Sequence, residues 1–183
     1  EEKLMRMSKL TSKFQEAMAD AQSIELGQHN GFIESLHLMK ALWEQEGGSA
    51  KPLLIQAGTS AHQFKTALDE ALNKLPKVTG TAGEIHISNE LNRLLNLTDK
   101  LAQQRKDQYI SSELFLLAAV SDQGVLGNLL RQSGVKEKNL LAAIDKMRGG
   151  ESVNDPNAET QRQALEKYTI DLTERAEKVK LDP

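Results

Sequence analysis

Leu53-Leu54-Ile55-Gln56-Ala57-Gly58 and Leu129-Leu130-Arg131-Gln132-Ser133-Gly134 are one pattern met twice: a leucine pair, a glutamine, then a glycine. Glycine closing an apolar helical turn is the common helix C-terminal signal, because its backbone enters the left-handed region at no steric cost. Working outward, a shift of 77 residues places Leu10, Phe14, Met18 and Ile24 on Ile87, Leu91, Leu95 and Leu101. Phe32-Ile33 falls on Tyr109-Ile110, Ser35 on Ser112, and Ala41 on Ala118. After a one-residue deletion Ala67 and Asp69 meet Ala143 and Asp145. Apolar spacing, turn and cap stay in register across the shift, so the chain contains a duplicated unit.

Each copy reads as four helices. Leu10, Phe14, Ala17, Met18 and Ala21 make an i, i+4, i+7 stripe that stops in the polar turn Gly27-Gln28-His29-Asn30-Gly31. A second helix starts near Glu34-Ser35 and ends before Gly47-Gly48; a third takes Pro52 into its first turn and ends at Gly58. The fourth opens on Ser60-x-x-Gln63, a capping-box pattern, and runs to Leu75-Pro76. The second copy repeats the plan over 88–105, 111–121, 124–133 and 136–148. The expectation is an all-α fold of two pseudo-symmetric four-helix repeats, 5–76 and 87–148, joined by a loop over 77–86. Residues 149–183 read as a polar linker, then a connector helix from Ala158 to about Val179. Glu1 to Leu4 read as a cloning leader ahead of a start at Met5, native sequence being the alternative.

Composition narrows the function. The 183 residues carry 39% hydrophobic but only 4% aromatic residues, the balance of a core built from Leu, Ala, Ile and Met. A net charge of -3 argues against nucleic-acid binding, which requires a concentrated basic face. Without cysteine, disulfides and thiolate chemistry are excluded, and no apolar run reaches the roughly 20 residues of a membrane-spanning helix. No phosphate-binding glycine loop and no nucleophile elbow occur; Gly47-Gly48 and Gly149-Gly150 read as helix stops. Glu34-x-x-His37 has metal-like spacing, but its duplicate is Ser111-x-x-Leu114, so a paired site lacks its second half and a capping histidine is the simpler reading. Ser, His and Asp are all present, yet nothing in their order favours a hydrolase.

The copies differ informatively. With Leu91 at zero on a helical wheel, Leu94, Leu95, Thr98 and Ala102 form one stripe, while Leu97 lies about 100° away with Leu101 between. Asp20 stands at the position matching Leu97, and His37 at the one matching Leu114. Leu97, Leu101 and Leu114 therefore suggest an apolar strip near the seam between copies, suited to weak capture of unfolded chain; Leu97 packing beneath the inter-repeat loop is the alternative.

Leu10-Thr11-x-Lys13-Phe14, Ala19-Asp20-Ala21-Gln22-Ser23 and Phe32-Ile33-Glu34-x-Leu36-His37-Leu38 resemble the first repeat of the Clp N-terminal domain. Asp99-Lys100-Leu101-Ala102-Gln103, Ile110-Ser111-Ser112-Glu113-Leu114-Phe115 and Met147-Arg148-Gly149-Gly150 resemble the second. Gln163-Ala164-Leu165-x-Lys167-Tyr168-Thr169-Ile170-Asp171-Leu172 and Lys180-Leu181-Asp182-Pro183 are similar to the segment leading into the first ATPase module of the ClpB-type disaggregases. The resemblance implies a client-binding domain, not itself an enzyme and without cofactor, from a cytoplasmic, heat-inducible, hexameric chaperone. ATP, Mg and hydrolysis belong to the parent ring, which works on aggregated protein with the DnaK system. It further implies substrate-binding roles for Thr11, Asp107 and Glu113, and an apolar client groove at Leu95, Leu97, Leu101 and Leu114. Thr11 and Glu113 also suit helix starts, and Asp107 a turn. The rival reading is an adaptor-docking or regulatory domain that gates the ring.

Overall fold

The computed structural model describes residues 7–79 and 86–162, and residues 1–4, read above as a leader, and most of the expected connector helix lie outside the described residues. Within them the first copy comprises α1 (Ser12–Gln28), β1 (Phe32–Ile33), α2 (Ser35–Glu44), α3 (Ala50–Gln56) and α4 (Ala61–Asn73). The second comprises β2 (His86–Ile87), α5 (Asn89–Gln104), α6 (Ser112–Val120), α7 (Val125–Gln132) and α8 (Glu137–Arg148).

Local chemistry sets these limits in pairs. Thr11 caps α1 and Ser88 caps α5, each hydroxyl accepting the backbone N–H three residues on, from Phe14 and Leu91. Both helices run out into left-handed residues, His29 at φ 55° and Lys106 at φ 61°. Ser60 caps α4 through the Gln63 N–H, as its capping-box sequence requires.

The duplication folds around a shared core. Phe14 and Phe115 meet edge to face at 6.2 Å between ring centres, and Trp43 packs on Phe64 at 4.7 Å with the rings tilted by 45°. α2 and α6, the central helix of each copy, are the most enclosed: α6 exposes none of its residues. Two parallel backbone pairings cross the seam. Phe32–Ile33 pairs with His86–Ile87, and Leu10 bridges Ile110. The repeat relates these: Leu10 corresponds to Ile87 and Ile33 to Ile110, so each copy's lead-in to its first helix pairs with the other copy's lead-in to its second. The helical pattern gave no sign of these pairings, which lie partly within the expected inter-repeat loop.

Gly58 and Gly134, which anchored the repeat, also meet across the seam. A Cβ on Gly58 (φ +131°) would lie 2.3 Å from the Gly134 carbonyl oxygen, and Gly134 sits at φ +98°. Glycine is required here for backbone approach as well as for its dihedral. Beside it, the Lys136 N–H donates to the Ala57 carbonyl at 3.0 Å.

The expected linker over 149–156 is docked on the domain. The Gln108 and Tyr109 N–H groups both donate to the Val153 carbonyl at 2.9 and 3.2 Å, and the Ser12 N–H donates to Pro156 at 2.8 Å. Val153 is only 3% exposed. Its turn-rich sequence correctly marks the end of α8 at Gly149 (φ +59°), but turn chemistry carries no information about whether the chain then leaves the surface.

Candidate functional site

Two features occupy the seam. The first is a groove of about 420 Å³ between α1 and α5. Its apolar floor and walls come from Leu10, Met18, Ile33, Ile87, Leu95 and Ile110, and its polar rim includes Gln15, Gln22, Asn92, Asn96 and Asp99. Most of these are repeat partners: Leu10 with Ile87, Gln15 with Asn92, Met18 with Leu95, Gln22 with Asp99 and Ile33 with Ile110. The groove thus presents nearly the same surface from either copy. Apolar concavity ringed by amides that can accept or donate is the chemistry of a peptide-binding cleft.

The four leucines singled out from sequence separate here. Leu95 lines the groove. Leu97 is 37% exposed and lies outside the groove, in a neighbouring depression with Asn89, Arg93 and Lys100 that shares Asn92 and Asn96 with the groove rim. Leu101 is partly buried against the core. Leu114 is 0% exposed and so does not form the surface strip expected of it. That corrects the inference from His37: the matching position in copy one is also fully buried, so a polar residue there marked a satisfied interior group. His37 Nδ1 accepts the Glu34 N–H at 2.8 Å, and its other ring nitrogen lies 2.8 Å from Asn30 Oδ1. Burial without a counter-charge pushes its pKa down to about 4, so it packs as the neutral ring.

The second feature is a buried polar cluster holding Thr11, Asp107 and Glu113. Arg148 Nη1 pairs with Asp107 at 2.9 Å and its Nε with Glu113 at 3.0 Å; all three side chains are at most 4% exposed. Arg148 also donates to Ser111 Oγ at 2.9 Å. Arg162 approaches Glu113 at 3.6 Å. Thr11 donates to Glu159, whose other oxygen accepts the Ser112 N–H at 3.3 Å. Burial first, and then the nearby Glu113, push Glu159 up to about 7; the Thr11 and Ser112 hydrogen bonds and Arg162 pull the other way. These residues sit inside the seam, where the side chains of Thr11, Asp107 and Glu113 are all closed off from the surface. Sequence reasoning found three members of this cluster but missed Arg148, Glu159 and Arg162 as their partners. Arg148 had a signal in its place at the end of α8; Glu159 and Arg162 had none.

A family model described as the Clp repeat N-terminal domain matches residues 9–133. The chain is 54% identical, over 98% of its length, to the chaperone protein ClpB of Vibrio cholerae, of which it covers 21%. It spans about a fifth of the length of the curated relatives it matches. The Hsp104 N-terminal domain from Candida albicans shares its fold, with a TM-score of 0.74 at 22% identity over 82% of this chain and 99% of that one. A solved complex of a ClpV N-domain with a VipB peptide matches at TM-score 0.64 and 17% identity, over 80% of this chain and 91% of that one.

Proposed function

From the premise that this chain belongs to the Clp repeat N-terminal domain family and corresponds to the N-terminal region of ClpB-type chaperones, we propose that it captures unfolded or aggregated polypeptide in the α1–α5 groove. The observation that carries this reading is the apolar groove at the seam, lined by Leu95 over the nearly buried Met18, Ile33 and Ile110 and framed by amide side chains. One apolar side chain fully buried there contributes about 1.5–3 kcal/mol. Two or three such anchors, set against the cost of immobilising the client, leave affinity in the weak range that repeated capture and release demands. The ClpV N-domain solved in complex with a peptide supports the view that this fold can bind peptide. In the parent, captured chain passes to a hexameric ATPase ring in the cytoplasm, with ATP and Mg bound there and the DnaK system assisting.

Titrating the chain with unfolded casein while following methyl resonances tests this. Shifts at Met18, Ile33, Leu95 and Ile110, with Leu97 and Leu114 unmoved, are the expected pattern. Shifts centred on Leu97, Val125 or Leu141, which are exposed elsewhere, would place capture on another face and remove the groove from the account.

A further inference from the structure

The repeat sets up an asymmetry at the seam that the chain fills with its own tail. In one direction Ser35, in the first turn of α2, donates to Glu90 of α5 at 2.6 Å. The matching pair in the other direction is Ser112 with Lys13, and lysine cannot accept a hydrogen bond. A carboxyl group still reaches Ser112, that of Glu159 arriving from beyond α8, but it accepts the backbone N–H and leaves the Ser112 hydroxyl without a hydrogen-bond partner among the described residues. The same segment is secured by Ser12 Oγ on Asn157 at 2.8 Å, by the Val153 N–H on Asp107 at 3.0 Å, and by the backbone bonds from Ser12, Gln108 and Tyr109.

We infer that the repeat seam is a socket for residues 151–162, and that this segment is a latch which seats when Glu159 holds a proton and lets go as the solution turns alkaline. Among the described residues, the pairing at the seam favours such a proton. Three carboxyl groups, Asp107, Glu113 and Glu159, share the buried seam with two guanidiniums. Both guanidiniums pair with Glu113, and Arg148 with Asp107 too, whereas Glu159 is held by Thr11 and Ser112. Facing Glu159 are Thr11 and Lys13 from α1, Glu113 from α6, Lys146 and Arg148 from α8, Asp107 from the α5–α6 loop, and Arg162 on its own segment; Lys13 and Lys146 share with it the cavity beside the seam. A carboxyl that binds its proton more tightly seated than free favours seating at low pH and loses that advantage as pH climbs through its seated value. With about 7 seated and 4.5 free, the seating equilibrium weakens about tenfold between pH 6 and pH 8. Release lengthens the tether by roughly 40 Å of extended chain. The latch stands independently of what the groove holds.

Amide hydrogen exchange on the whole chain, expressed as protection factors, tests this at Ser12, Gln108 and Val153, with Met39 and Leu117 as core controls. Protection at the three latch amides should fall about tenfold from pH 6 to pH 8 while the controls hold. Glu159→Gln, a neutral isostere of the protonated acid, should keep the latch seated at both values. Latch protection that is unchanged across this range in the native chain would overturn the inference. So would a Glu159→Gln chain that follows the native pH dependence or is unlatched throughout. The native series involves no substitution and decides the matter even where a variant misfolds.

Discussion

Replacing Arg148 by methionine is the sharpest test of how the seam is held. The substitution keeps most of the side-chain length and removes the charge. It strands Asp107 and Glu113, both 0% exposed at the side chain, with only the more distant Arg162 beside Glu113. Breaking a buried ion pair by deleting one partner costs about 3–5 kcal/mol, because the remaining charge stays desolvated. At about 2–4 °C per kcal/mol for a domain of this size, the midpoint of thermal unfolding should drop by roughly 6–20 °C. Arg105→Met is the control. Its pair with Asp145 at 3.1 Å is solvent-exposed, and its loss should cost less than about 1 kcal/mol. Adding Asp107→Asn and Glu113→Gln to Arg148→Met should recover part of the deficit, since the stranded charges disappear. Circular dichroism melts of the four chains read all of this. An Arg148→Met melt no lower than that of Arg105→Met would refute the reasoning that the seam depends on a desolvated ion cluster.

Gly58→Ala should destabilise by at least about 2 kcal/mol, seen in urea unfolding, because the new methyl meets the Gly134 carbonyl and the dihedral is strained. His37 should titrate near pH 4 by imidazole NMR. Its lowered value favours the folded state fully above the unfolded pKa of about 6.5, and that contribution, about 3 kcal/mol, is lost as pH falls toward 4. The measurement is made in a Glu159→Gln chain, where the opposite-signed linkage of Glu159 is silent. Because the groove walls are repeat partners, an unfolded peptide and its reversed sequence should bind within a few-fold of each other by fluorescence anisotropy; a strong preference for one direction would show that the rim residues, where Gln15 faces Asn92 and Gln22 faces Asp99, break the symmetry.

The helices and their duplication were legible because they rest on local signals: the stripe from Leu10 to Ala21, the Ser60 cap, and glycines ending apolar turns. The crossed strand pairings were not, since two-residue strands such as Phe32–Ile33 carry no periodicity. Leu95 could be recognised as a groove residue through family resemblance, but the groove itself spans both copies, and its other wall lies on α1. Leu97 is exposed as its place on the wheel implied, whereas the position of Leu114 failed for a different reason. Helical wheels sort faces only around one axis, and α6 is enclosed on every side by neighbours from both copies. Glu159 lies 148 residues from Thr11, and only the folded seam makes them neighbours.

The central claim, that extended chain binds across α1 and α5, is tested most directly by comparing two leucines of one helix. Leu95→Asn should weaken binding of unfolded casein about tenfold, the loss of some 1.4 kcal/mol of apolar contact, while Leu97→Asn stays within about twofold of the native chain. Isothermal titration at matched folded stability gives both numbers. If instead Leu97→Asn abolishes binding and Leu95→Asn leaves it intact, clients are held on the outer face of α5 and the groove is not their site.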